Sequence, residues 1–174
     1  MKPTEKNHTH KKLGFSYLET AEIVVKMNQL LSNYQIHFHR LQNFTWNVRG
    51  RAFFELHDKF GEMYHRTFDN INKIAERIRV FNQLPVSQMK EALEISELED
   101  SPAKLSGEEM VKQLSTDFEV LLSFLVDATD VAAANGDVGT TEMLNGFIQD
   151  LEKDHWMLNA WLSSFKPEPF PGKN

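Results

Sequence analysis

The chain carries seven histidines and 25 acidic residues but no cysteine, so any metal chemistry rests on imidazole and carboxylate donors. Such donors suit divalent cations of hard or borderline character. Two Glu-x-x-His pairs, Glu62/His65 and Glu152/His155, have the spacing that builds carboxylate-rich metal pairs inside helical bundles when two further glutamates join them. Glu119 is a candidate for one of those, and His37 and His39 lie roughly opposite Glu62 across a turn at Gly50. A second set follows one helical face. At about 100° per residue counted from His57, the residues His57, Gly61, Tyr64, Phe68, Asn72 and Glu76 fall between about −20° and +100°, and His65 joins them. The apolar stripe of the same segment sits near −80°, whereas Glu62 falls near +140°, which argues against an internal site built on Glu62. A face mixing His, Glu, Tyr and Phe apart from the core stripe reads either as contact with another subunit or as a solvated surface.

Four long helical patterns position these residues. The first runs from about Ser16 to Val48, with Leu30, Tyr34, Phe38, Leu41 and Val48 at three- and four-residue steps. The second runs from about Ala52 to Phe81, with the stripe Leu56, Phe60, Met63, Thr67, Ile71, Ile74 and Ile78. The third starts at Ser106, where Ser106 and Glu109 predict a capping box, and stops at Asn135-Gly136. The fourth spans about Thr140 to Phe165 and is closed off by Pro167, Pro169 and Pro171. Segments this long, each with one apolar stripe, predict an all-α four-helix bundle. Arg49-Gly50-Arg51 makes the first two helices antiparallel neighbours, and Met89, Leu93 and Ile95 predict a short extra helix between the second and third. The expected organisation is an N-terminal arm at 1–15, a bundle at 16–165 and a Pro-rich tail at 166–174.

Composition narrows the class. At 174 residues the chain is one domain able to bury about 70% of its unfolded surface. No apolar run approaches the ~18 residues of a membrane helix, and the polar first residues lack the apolar core of a secretory signal. A cytoplasmic location and no membrane partner are the expectations. Lys2, Lys6, Lys11 and Lys12 against Glu5 give residues 1–12 a net +3, leaving −9 on the rest of a chain whose total is −6. An acidic body repels phosphate backbones, so contact with DNA would use this arm. His8 and His10 lie in it, where weak metal contact needs no function. His155 falls on the fourth apolar stripe and reads as a hydrogen-bonded core histidine; His37 borders the first stripe, and His39 points to another face. Trp46, Trp156 and Trp161 are expected to pack at the bundle and its interfaces.

The run Asn43-Phe44-Thr45-Trp46-Asn47-Val48-Arg49-Gly50, followed by Phe53-Phe54-Glu55-Leu56-His57 and Ile74-Ala75-Glu76-Arg77-Ile78, resembles the Dps family of DNA-protecting miniferritins. Pro85, Met89, Leu93-Glu94, Leu151-Glu152-Lys153 and Trp156-Met157-Leu158 extend the resemblance over roughly residues 16–165. It implies a ferritin-like subunit assembled as a hollow dodecamer that oxidises Fe2+ and stores ferric mineral, often with DNA shielding. In that family iron is bound where two subunits meet, by the end of one subunit's first helix and the second helix of its partner. The family pattern places His before the Trp, where this chain has Thr45; His in Phe-x-x-Leu-His, matched by His57; and an acid one turn later, where Gly61 stands. It then places Asp four residues before Glu-Arg, where Asn72 precedes Glu76-Arg77. His57 and Glu76 are therefore the retained metal ligands, with His65 as an added donor on that side. The resemblance also implies a pore role for Asp130, Asp137 and Glu142, although a carboxylate there equally suits a helix N-terminus. Three functions stand: an iron-storing miniferritin with an altered ferroxidase site, a non-catalytic shell, or a DNA-binding protein acting through its Lys-rich arm.

Overall fold

The computed structural model describes Gly14 and residues 17–163. The Lys-rich arm, His8, His10 and the proline tail lie outside the described residues. The elements are α1 (Tyr17–Asn47), α2 (Phe53–Val80), α3 (Met89–Ile95), α4 (Gly107–Ala134) and α5 (Val138–Ser163). No strand occurs among the described residues, and no described helix is long and apolar enough to cross a membrane.

The four long helices form because each carries one continuous apolar stripe, and burying four stripes together leaves a single core. Leu30, Tyr34 and Leu41 of α1 meet Phe60, Met63, Ile74 and Ile78 of α2, Leu114, Phe118 and Leu121 of α4 and Leu144 and Leu158 of α5. Burial pushes the Tyr34 hydroxyl well above its ordinary range, so this ring stays neutral in the core. The turn between α1 and α2 is closed by Gly50, whose φ of 107° lies in the left-handed region that favours glycine. Gly136, with φ of 71°, does the same between α4 and α5. The capping box at the start of α4 forms as expected: the Glu109 amide donates to Ser106 Oγ at 3.3 Å and the Ser106 amide donates to Glu109 Oε2 at 2.7 Å.

Three buried carboxylates pin the helices together, each between partners far apart in sequence. Asp117 of α4 accepts from His37 Nδ1 at 2.8 Å and from Arg40 of α1, whose guanidinium also donates to the Glu99 carbonyl. Asp154 of α5 pairs with Lys59 at 3.0 Å and with Arg66, both on α2. Asp137 caps α5, accepting from the Thr140 amide at 3.1 Å and from Arg77 of α2 at 2.5 Å.

Several expectations change. His37 is fully buried rather than bordering the stripe, because Asp117 and the edge of Phe118 give its ring a polar and an aromatic partner. His155 is not in the core: Asp154 takes the inward position, and His155, one residue round the helix, is half-buried with Asn159 Nδ2 at 3.0 Å and Glu119 at 3.5 Å. In α3 only Ala92 is buried, and Met89 and Leu93 face outward, since a seven-residue helix lying on α1 seats one small side chain. Trp161 packs on the core as expected, and Trp46 and Trp156, expected at an interface, are 71% and 67% exposed on the protomer.

Candidate metal centre

The end of α1 and the outer face of α2 carry the residues of the candidate site. Leu56, Phe60, Met63, Thr67, Ile74 and Ile78 turn α2 onto the core, and that choice leaves His57, Gly61, Phe68, Asn72 and Glu76 off it, with Tyr64 packed at the core's margin. The carbonyl of Thr45 lies 2.9 Å from His57 Nδ1. A carbonyl oxygen only accepts, so Nδ1 carries the proton and Nε2 of the neutral ring is left with its lone pair. Phe53 stacks on the same imidazole with centroids 5.3 Å apart. A His held in this way is a pre-oriented metal donor, since the partner of the second nitrogen sets tautomer and ring plane.

The other positions offer little. Thr45 Oγ1 donates back to the Leu41 carbonyl at 2.8 Å, within its own helix. Gly61 supplies no side chain, and a Cβ there would meet nothing within 4 Å. Asn72 Nδ2 donates to the Phe68 carbonyl at 3.0 Å, another local bond. Glu76 is exposed and free of partners among the described residues. At 1.5 Å per residue, His65 stands roughly 12 Å and Glu76 roughly 28 Å along α2 from His57. One protomer therefore does not bring His57, His65 and Glu76 together, and no group of three His, Asp or Glu able to hold a metal exists among the described residues. The space between them is aromatic: Tyr64 stacks on Phe38 at 4.6 Å, His65 meets Tyr64 edge-on, and Phe68 is half exposed.

An internal metal pair is not built either. Glu62 faces solvent and is held by Lys59 at 3.1 Å and Arg66 at 3.5 Å. Glu119 and Glu152 are exposed on the outer side of α4 and α5. Near the last turn, Asp137 is the α5 cap and Arg77 partner, buried at 1% exposure, so it is not available to line a pore; Asp130 and Glu142 are exposed. Sequence reasoning missed the roles of Arg77, Thr140 and Asp117, whose partners lie 60 to 80 residues away with no periodic signal between them.

Donor chemistry decides what this face can hold. Two ions oxidised as a pair need several anionic and imidazole ligands to offset their charge. The residues present do not fit such a pair: one imidazole and one carboxylate per contact hold at most a single, largely hydrated cation.

A ferritin-like domain model matches residues 25–166. The chain is similar to general stress protein 20U of Bacillus subtilis (strain 168), 35% identical over 82% of this chain and 99% of the relative. It is also similar to DNA protection during starvation protein 2 of Bacillus anthracis, 36% identical over 82% and 97%. Among solved structures it resembles the Dps protein of Vibrio cholerae O1, described as a member of a broad superfamily of ferritin-like diiron-carboxylate proteins. That match has a TM-score of 0.84, 31% identity, and covers 86% of this chain and 94% of the other.

Proposed function

Since this chain belongs to the Dps family of ferritin-like proteins, we propose that it is a shell-forming miniferritin that binds and stores iron, with an inter-subunit oxidation site stripped of most of its donors. The observation that carries this reading is the state of the three replaced positions. The Thr45 hydroxyl is bonded within its helix, Gly61 leaves open space, and the Asn72 amide is bonded to Phe68. None presents an anion to a metal. Iron here is cargo, and His57 Nε2 with Glu76 of an adjoining copy are the residues that would touch it at the contact. Because that pair cannot balance two ions, no oxidation step is assigned to it.

Assembly into a homo-oligomeric, dodecameric shell is part of the proposal. It is supported by large apolar side chains left open on the protomer: Phe54 and Leu84 at 78% exposure and Trp46 and Trp156 nearly as open. The test is Fe2+ oxidation by the purified assembly, with O2 or H2O2 as oxidant, against buffer and against an active family member. The expected result is a rate close to buffer, together with iron retained after loading with pre-oxidised metal. Oxidation at the active member's rate would reject the impaired site; failure to retain iron would reject storage.

A further inference from the structure

The described cations are mostly engaged. Lys26, Arg40, Lys59, Arg66, Arg77, Lys90 and Lys112 pair with carboxylates, Arg79 donates to the Gln83 carbonyl and Lys73 lies over the Phe147 ring. Four described cations have no such partner: Arg49, Arg51, Lys104 and Lys153. In a body carrying excess negative charge, an unpaired cation is the exception, and three of these four fall in two short segments at one end of the bundle. Arg49 and Arg51 flank Gly50 in the α1–α2 turn, and Lys104 precedes α4.

Arg49 and Lys104 line the same cleft of about 380 Å³, together with Asn47, Ala103 and Leu105. The backbone adds to the positive character. The amides of Arg49, Gly50 and Arg51 have no acceptor among the described residues, because the turn passes from α1 to α2 without internal bonds until the Phe53 amide reaches the Gly50 carbonyl. Glu109 is committed to Ser106, Glu108 to Lys112 at 2.6 Å and Asp100 to the Ser101 amide at 2.8 Å, whereas Glu55 and Asp58 at the start of α2 are exposed and have no partner among the described residues. Arg49 and Lys104, lining one hollow, offer it a guanidinium and an ammonium, the donor types that oxyanions select.

We propose that the cleft between the α1–α2 turn and the residues preceding α4 binds a phosphate group through Arg49 and Lys104. Its source is either free inorganic phosphate or the phosphodiester of a nucleic acid, and the two share this chemistry. Neither Arg49 nor Lys104 belongs to the Lys-rich residues 1–12, which lie outside the described residues. The proposal does not depend on metal at the α2 face.

The test uses the full-length assembly and three variants: Arg49→Ala/Lys104→Ala, the charge-keeping Arg49→Lys/Lys104→Arg, and Lys153→Ala as a free cation elsewhere. Inorganic phosphate binding is read by calorimetry and short duplex DNA binding by anisotropy across a salt series, with melting temperature and particle size as fold controls. The expected result is phosphate binding weakened about tenfold or more for each cation removed, corresponding to about 1.4 kcal/mol apiece, with the other two variants near wild type. If the phosphodiester is the source, the dependence of log K on log salt also falls by about 0.9 for each phosphate no longer neutralised. Loss of phosphate binding with unchanged DNA binding assigns the cleft to free phosphate. Equal phosphate and DNA binding by wild type and the double alanine variant, or equal weakening by Lys153→Ala, overturns the proposal.

Discussion

Restoring the three missing donors is the sharpest test of what the α2 face can do. The perturbation is the triple variant Thr45→His/Gly61→Asp/Asn72→Asp, and its cost to the fold is small. Thr45 gives up a hydroxyl bond to the Leu41 carbonyl, a local bond of slight consequence, and His and Thr have similar helix propensities. Gly61 lies inside α2 with open space at its Cβ, so Asp there gains a few tenths of a kcal/mol of propensity. Asn72 is exposed, and losing its bond to Phe68 costs about 0.5 kcal/mol at most. The sum lies within about 0.5 kcal/mol of zero, so any gain in chemistry comes from the ligands. The assay is the initial rate of Fe2+ oxidation, with particle size and melting temperature measured alongside. The expected rise is at least about tenfold, equal to about 1.4 kcal/mol of added transition-state stabilisation. Gly61→Ala is the control: it should gain about 1 kcal/mol, or roughly 2–4 °C in melting temperature, and leave oxidation unchanged. A triple variant that is folded, assembled and no faster than wild type would refute the assignment of this face as the metal centre.

Two further predictions concern the frame that holds the site. Asp137→Ala removes the α5 cap and the buried partner of Arg77; Arg77 is partly open to water, so the loss should be about 2 kcal/mol, seen as a fall of roughly 4–8 °C in thermal unfolding. A fall under about 0.5 kcal/mol would show that the pair does not couple α2 to the last turn. Ser106→Ala should cost about 1 kcal/mol through loss of the N-cap hydroxyl. Hydrogen bonds from the Ser106 hydroxyl and backbone hold the Glu109 carboxyl below its ordinary value, so this stabilisation is present above the unfolded-state value and is lost as pH falls through the folded one. The gap between wild type and variant in pH-dependent denaturation should therefore narrow in the acid range, and NMR titration of Glu109 in the variant should move upward. An unmoved titration would separate Glu109 from the cap.

The bundle was legible because it follows from periodicity. The stripe from Leu56 to Ile78 specifies which side of α2 is buried, and so which side carries His57 and Glu76, before any tertiary contact is known. Ser106 with Glu109 announced the start of α4, since both halves of the box lie within one turn. Where local periodicity and specific pairing compete, periodicity misleads. His155 sits on an apolar repeat yet is displaced outward by Asp154, because a carboxylate facing two cations gains more from the interior than an imidazole without one. Asp137 looked like a pore acid only while the reach of Arg77 from α2 was invisible.

What the sequence determined by itself is the list of available donors. An inventory of side chains is complete in one dimension, so the absence of cysteine and the standing of Thr45, Gly61 and Asn72 where a ligand set would need His and acids needed no coordinates. Only the tertiary structure decided how those side chains are occupied. It alone set the tautomer of His57 through the Thr45 carbonyl, the burial of His37 against Asp117, and the lining of one cleft by both Arg49 and Lys104. The physical reason is that hydrogen bonding and charge pairing act over a few ångströms in space, whatever the separation along the chain, and only folding sets those distances.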